Sequence, residues 1–379
     1  MKRKEYDMKI DTMGIILTGD EKISPLTDIR ANSALPIAGR YRIIDFVLSN
    51  MANAGIVNVG IATESNYSSL MDHTRSGKPW DLDRKNSGLQ ILPPNLEKEK
   101  FGVIKGNIDL LAGIRDYIHR STETYVILSL GNIVYNIDFG AVVKHHIKEQ
   151  ADITVVYKDI KGMEDSDLSH FTLLDIDGDG TVKDIEVQPY YPKTTNASLE
   201  IFVMEKALLE SIIDECSARG DVDFVKDAIV KKMDGMRIFG YKFDGHMYKV
   251  DSMKSYYNTN MQFLKEDRRK ELFNRKRPIY TKTKDQSPTK YGADAKCTNS
   301  FISDGCVIEG TVINSVLSRG IRVEKGAVVK DSVIMQNSVI EEGAEVNCVV
   351  FDKEVTITKG RKLIGQENYP LAIAKSSTI

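Results

Sequence analysis

Apolar residues in the first two thirds of the chain come in short runs, separated by stretches in which they recur at helical spacing. Residues 13–18, 58–62, 125–129 and 153–157 are near-continuous apolar runs rich in Val and Ile, the pattern of strands buried on both faces. Between them, residues 45–54, 107–118 and 139–148 place their apolar side chains on one helical face; Ile108, Leu111, Ile114 and Ile118 mark the second. This alternation predicts an α/β domain over residues 1–264, a doubly wound and mostly parallel sheet with helices on both faces. Ligands of such sheets bind beyond the carboxyl ends of the strands, so a site is expected in the loops after Leu17 and Ser129.

Residues 265–293 break the pattern and read as a connector. Charge crowds its first half, and Pro278 and Pro288 punctuate the rest. Glu266, Asp267 and Glu271 dilute the basic run Arg275-Lys276-Arg277, and no aromatic stacking platform is interleaved, so a nucleic-acid patch is not expected. Beyond it, apolar residues return at a period of six: Ile321, Ala327, Val333 and Val339, with the same step from Ile302 to Ile308. Gly305, Gly310, Gly320, Gly326, Asn337 and Gly343 fill the gaps. A hexapeptide period predicts a left-handed parallel β-helix over residues 294–379, with about four rungs reaching Leu363.

Composition narrows the function. The 379 residues carry 52 Lys+Arg against 54 Asp+Glu, a net charge of −2, so neither a nucleic-acid nor a membrane partner is expected. Cys216, Cys297, Cys306 and Cys348 are too scattered for a disulfide framework or a zinc site and suit a reducing compartment. The basic start has no apolar core of a signal peptide, and no run of about 18 apolar residues occurs; the chain reads as cytoplasmic. The stretch from Asp175 to Glu186 matches the calcium-loop pattern D-x-D-x-D-G-x5-E, but strand-like flanks and Pro189 predict a hairpin instead. His145 and His146 are adjacent and so do not share a helix face for a metal. Hexapeptide acyltransferases use a histidine base in or beside the coil, and no histidine follows His246.

Specific phrases then carry a resemblance. Pro25-Leu26-Thr27, Arg30-Ala31 and Gly39-Arg40-Tyr41-Arg42-Ile43-Ile44-Asp45-Phe46-Val47-Leu48-Ser49-Asn50, ahead of a connector and a hexapeptide coil, resemble ADP-glucose pyrophosphorylase (glucose-1-phosphate adenylyltransferase) over nearly the whole chain. The resemblance implies a Rossmann-like nucleotidyltransferase domain. Members make ADP-glucose from ATP and glucose 1-phosphate with Mg²⁺, usually as tetramers under metabolite control. The reaction needs backbone amides around the phosphates, cations on the developing charge, and carboxylates on the metal.

Position by position, those groups are missing. The family's glycine-rich loop corresponds to Thr18-Gly19-Asp20-Glu21-Lys22-Ile23-Ser24, which is shorter, keeps one glycine and puts two acids where a triphosphate would lie. Asn32 stands at the family's phosphate-binding lysine, and Gln188 at the lysine that grips glucose 1-phosphate. Asn132 replaces the first metal aspartate and Lys249 the second, while Glu200 intrudes near the sugar pocket. The turn at Gly106 and Asp109 is kept. Each lost ligand or clamp is worth several kcal/mol of transition-state stabilisation, so no turnover is expected.

The expected function is therefore that of the family's GlgD-type regulatory subunit of Gram-positive bacteria. Such a subunit has no catalytic or metal residues of its own; Mg²⁺ and ATP belong to a catalytic partner subunit in a hetero-oligomer, a tetramer. The resemblance also implies a phosphate or sugar-phosphate effector, with Arg30, Arg40 and Arg42 as the retained cations. The alternative is an active nucleotidyltransferase with unusual metal ligands.

Overall fold

The computed structural model describes residues 11–19, 21–64, 66–85, 87–93, 105–163 and 165–379. Nine strands form the main sheet: β1 (Thr12–Leu17), β2 (Asn58–Ala62), β3 (Gly88–Leu92), β4 (Tyr125–Leu130), β5 (Ile153–Asp159), β6 (Thr172–Ile176), β7 (Val182–Val187), β8 (Asn196–Glu205) and β9 (Ile238–Lys242). They run in the order β7-β6-β8-β4-β1-β2-β3, with β5 and β9 beyond β8 on a second branch. β3, β2, β1 and β4 are parallel neighbours, as are β5 and β9. The long strand β8 is antiparallel to β4, β5 and β6. Its direction follows from what precedes it: the β6–β7 hairpin, not a long crossover helix, delivers the chain to it. The parallel core is thus as the apolar runs predict, with an antiparallel seam that they do not disclose.

Helices cover both faces. One core cluster packs Ile108, Leu111 and Ile118 with Leu209, Ile212 and Ile213 against Met13, Ile15 and Leu128. The other packs Val47, Leu48 and Met51 with Val142 and Val143 against Ile16, Ile61 and Ile127. The helix expected over residues 107–118 is two, Asn107–Gly113 and Arg115–Arg120, because Ile114 leaves helical geometry at φ −102°, ψ 11°.

The coil is a parallel β-helix with three five-stranded sheets, one per face. Its first strand is Lys290–Tyr291 and its last Leu371–Ile373, so it has five rungs where the hexapeptide period predicts four. Inside, Ile308, Val323 and Ile340 are fully buried, or nearly so, in one column. The connector is packed on the sheet domain: Asn136 Nδ2 donates to the carbonyls of Leu272 (2.7 Å) and Arg277 (2.9 Å), and Asn53 Nδ2 to that of Pro278 (3.0 Å). A third cluster joins the two domains, with Ile37, Tyr41, Phe46 and Tyr256 on one side and Val316, Val333, Met335 and Val350 on the other. Among the described residues no helix is long and apolar enough to cross a membrane.

Candidate functional site

The carboxyl ends of β1 and β4 bring the expected positions together. After β4 the chain turns through Gly131 and Asn132 into a two-residue strand, Ile133–Val134, which pairs antiparallel with Tyr248–Lys249. Val250 is the hub of the knot. Its N–H donates to the Asn132 carbonyl (2.9 Å), and its carbonyl accepts from Asn32 Nδ2 (2.7 Å). Gln188 joins through Phe171: its backbone N–H donates to the Phe171 carbonyl (3.1 Å), and the Lys249 ammonium lies 5.7 Å from the Phe171 ring centroid. Asn32, Asn132 and Lys249 therefore border one site, and Gln188, which is exposed, is tied to its edge only through its backbone bond to Phe171.

That site is filled from within. Asn132 is fully buried and donates from Nδ2 to Glu21 Oε1 (2.9 Å). The Glu21 carboxylate also lies over Gly19: a β-carbon there would sit 2.3 Å from Glu21 Oε2. The one glycine kept from a phosphate loop thus makes room for the loop's own carboxylate. Burial raises the Glu21 carboxyl above its ordinary range, while its own backbone N–H and Lys249 pull the other way. Glu200 is also raised by burial and opposed by Lys249, and Oε1 accepts from Thr172 Oγ1 (3.2 Å). Asp20, the other acid of this loop, lies outside the described residues.

This arrangement does not fit Mg²⁺. A hard divalent ion needs convergent, negatively charged oxygens. Here one ligand position is an ammonium, and the other is an amide whose N–H already serves Glu21. The Oδ1 atoms of Asn32 and Asn132 and Oε2 of Glu21 are buried without a hydrogen-bond partner, and each is shut off from solvent. Among the described residues no group of three His, Cys, Asp or Glu side chains could hold a metal.

The neighbouring turn keeps its form. Asp109 accepts from the Lys105 N–H (2.8 Å), and a β-carbon on Gly106 would lie 2.4 Å from the Val222 carbonyl. The preceding positions Phe101, Gly102, Val103 and Ile104 lie outside the described residues. The stretch from Asp175 to Glu186 is the β6–β7 hairpin, with the Lys183 ammonium 3.1 Å from Asp177.

The three arginines lie at the junction with the coil, in different states. Arg30 is buried and ion-paired with the equally buried Asp352 of the coil (2.8 Å). Arg40 is exposed and stacks on Tyr41, with its guanidinium 5.2 Å from the ring centroid. Arg42 Nη1 donates to the Ser69 carbonyl (2.7 Å) and hydroxyl (2.8 Å). Around them stand three cations that no phrase of the sequence singles out: Lys284, Arg319 and Lys353. Burial lowers Lys353 to about 8, with Arg42 and Arg30 adding to the effect. Partial desolvation lowers the exposed Lys284, helped by Arg319, and burial lowers Arg319, helped by Arg40. Among the described residues, none of the three has a carboxylate in ion-pair contact, and Arg319 Nε is buried without a partner. The signal was periodic: Val316, Val333 and Val350 stack at 17-residue steps, and the same step takes Arg319 through Gln336 to Lys353. A cluster of cations without carboxylate partners offers an anion favourable charge.

Comparison with known proteins agrees with both domains. Residues 13–266 match the nucleotidyl transferase family, and residues 285–369 match the GlmU-like C-terminal hexapeptide family. The chain is 35% identical over 368 residues to a protein of Bacillus subtilis (strain 168) named glycogen biosynthesis protein GlgD, covering 96% of this chain and 95% of that one. It is 33% identical over 377 residues to glucose-1-phosphate adenylyltransferase of Clostridium perfringens (strain SM101 / Type A), covering 98% and 96%. Identity to the adenylyltransferase of Bacillus mycoides (strain KBAB4) is 31% over 361 residues, covering 94% and 95%. The chain belongs to the nucleotidyl transferase family, in the branch of glucose-1-phosphate adenylyltransferases and GlgD.

Proposed function

We propose that this nucleotidyl transferase family member is a catalytically silent, regulatory subunit of glucose-1-phosphate adenylyltransferase in glycogen biosynthesis. The observation that carries the reading is Glu21, whose carboxylate lies on Gly19 and accepts from Asn132 in the place where a nucleotide's phosphates and their metal would meet. An anion already fills the cradle, and the groups that would neutralise a second one are replaced by Asn32 and Gln188. ATP and Mg²⁺ then belong to an active paralogous subunit, with which this chain forms a hetero-oligomer, a tetramer. Its effect on that partner is a coupling free energy between interface states rather than chemistry. The relatives named above support the setting in glycogen biosynthesis, since one is named glycogen biosynthesis protein GlgD and the others glucose-1-phosphate adenylyltransferase.

The effector is a phosphate or sugar phosphate at the domain junction. Lys284, Arg319 and Lys353 supply cations without carboxylate partners, Arg42 stands beside them on Ser69, Arg40 stands at the rim, and Arg30 is committed to Asp352. One experiment tests the assignment: the purified chain is assayed with ATP, Mg²⁺ and glucose 1-phosphate, alone and then with the paralogous subunit. No turnover alone, and a changed rate or effector response on mixing with co-elution, is the expected result. Turnover by the chain alone would establish the active-enzyme reading instead. Absence of both co-elution and kinetic effect would remove the regulatory one.

A further inference from the structure

A cavity of about 310 Å³, sharing no lining residue with the filled site, lies between the helix Met253–Gln262 with its following turn and the coil. On the coil side its wall is a column of left-handed turns: Asn299, Asn314, Asp331 and Cys348 have φ values of 42°, 46°, 43° and 50°. Asn299 Nδ2 donates to Asn314 Oδ1 (2.9 Å), and Asn314 Nδ2 donates to Asp331 Oδ1. The amide ladder stops there, because Cys348 in the next rung brings no amide. Its last acceptor, the Asp331 carboxylate, keeps Oδ2 with only Lys330 near it, at 3.7 Å.

On the facing side, Asn258, Gln262 and Lys265 line the cavity, and Glu367 closes it from the end of the coil. Among the described residues, the side chains of these four make no hydrogen bond or ion pair. Tyr257, Met261 and Leu264 form an apolar floor. Tyr257 itself is satisfied, since its hydroxyl donates to the Asp331 carbonyl (2.8 Å).

The lining selects the ligand. Asp331 and Glu367 stand against Lys265, with Lys330 already beside Asp331, so the cavity offers an anion no excess of positive charge. A metal is disfavoured because no three ligating side chains converge. A flat apolar ligand would strand the amides and charges without partners. What uses them all is a molecule with several neighbouring hydroxyls, each both donor and acceptor, and one face of C–H groups. The volume is at the small end of the range for ligand pockets, about 300–1,000 Å³.

We propose that this cavity binds a neutral sugar, with ring hydroxyls held between Asn258 and Gln262 on one side and Asp331 and Glu367 on the other. The proposal stands apart from the regulatory assignment, because it concerns this chain alone and needs neither partner nor effector. The test is saturation-transfer NMR on the purified full chain with glucose, with maltotriose, and with inorganic phosphate as a control. Sugar signals with a Kd in the region of about 1 mM are expected, weakened about tenfold or more in Gln262→Ala/Glu367→Ala at an unchanged denaturation midpoint. Tighter binding of maltotriose would point to the end of a glucan, and equal binding to a free hexose; both support the site. No sugar signal at about 50 mM, or signals that the double variant leaves intact, would overturn it. A response to phosphate that competes with sugar would overturn the neutral-ligand class.

Discussion

Asn132 keeps the place of a metal carboxylate, but its amide is part of a different structure. Nδ2 donates to Glu21, and the backbone carbonyl accepts from Val250, so the residue now ties the first loop to the strand carrying Lys249. Restoring the aspartate alone would therefore not restore a metal site. Asn132→Asp sets a second carboxylate against Glu21 in a buried position and removes the donor between them. The expected loss is at least about 2 kcal/mol at neutral pH. Both carboxyls would titrate above their usual range, so the folded pair holds a proton that the unfolded chain has released. The loss should thus shrink as pH falls toward 5 and grow as pH rises through the raised pKa values. Chemical denaturation of Asn132→Asp and of Asn132→Asp/Glu21→Gly at pH 5 and 7.5 checks this, and equal stability of the single variant and the parent would refute it. For the same reason Lys249→Asp/Asn132→Asp should give no turnover while Glu21, Asn32 and Gln188 remain. The absence of carboxylates at these positions is legible in residue types, because an amide or ammonium cannot serve as a metal carboxylate. The plug is only half legible. Its charge is in the sequence, but its placement depends on how Gly19 lets a short loop fold back.

Elements read well where one periodicity governs them and poorly where the backbone breaks it. The strands β1, β2, β4 and β5 fall within two residues of their apolar runs. The helix over residues 107–118 keeps its apolar face across the break at Ile114, and side-chain spacing cannot register that break. The antiparallel β8 is invisible for another reason: a buried apolar run looks the same in either direction. In the coil the six-residue period identifies the fold, but it is the period of the full rung that sets Arg319, Gln336 and Lys353 in one column. That column makes a pH prediction. Lys353, lowered to about 8 mainly by burial, is mostly an ammonium at pH 7 and mostly a neutral amine at pH 9. Binding of an anion favours the ammonium, so affinity should fall as pH rises through 8. Sulfate is the suitable probe because its own charge is constant over that range. Calorimetric titration at pH 7 and 9 should show about a threefold or greater weakening, with the difference abolished in Lys353→Met. A pH-independent affinity in the parent would exclude Lys353 from the anion site.

At the scale of the whole molecule, the two domains are parts of one core. The junction cluster draws Tyr41, Phe46 and Tyr256 from the sheet side and Val316, Val333 and Val350 from the coil. Arg30 reaches across to Asp352, with both side chains almost completely excluded from solvent. An effector bound at the junction would touch both domains, and this shared core offers a physical route from that site to a subunit interface. It also forbids independent unfolding: exposing the junction would uncover apolar surface on both sides and leave two buried charges unpaired. Scanning calorimetry should therefore show one transition whose calorimetric and van't Hoff enthalpies agree. Arg30→Ala leaves Asp352 buried without its partner and should lower stability by about 3–5 kcal/mol. Arg30→Ala/Asp352→Ala should lose less than the two single variants added together, because the second change removes the stranded charge. Two separate transitions in the parent would mean that the domains are only adjacent. The junction could then hold an anion without transmitting its presence, and the regulatory reading would need another route. One transition that splits in Arg30→Ala would instead identify this ion pair as what makes the sheet domain and the coil a single cooperative unit.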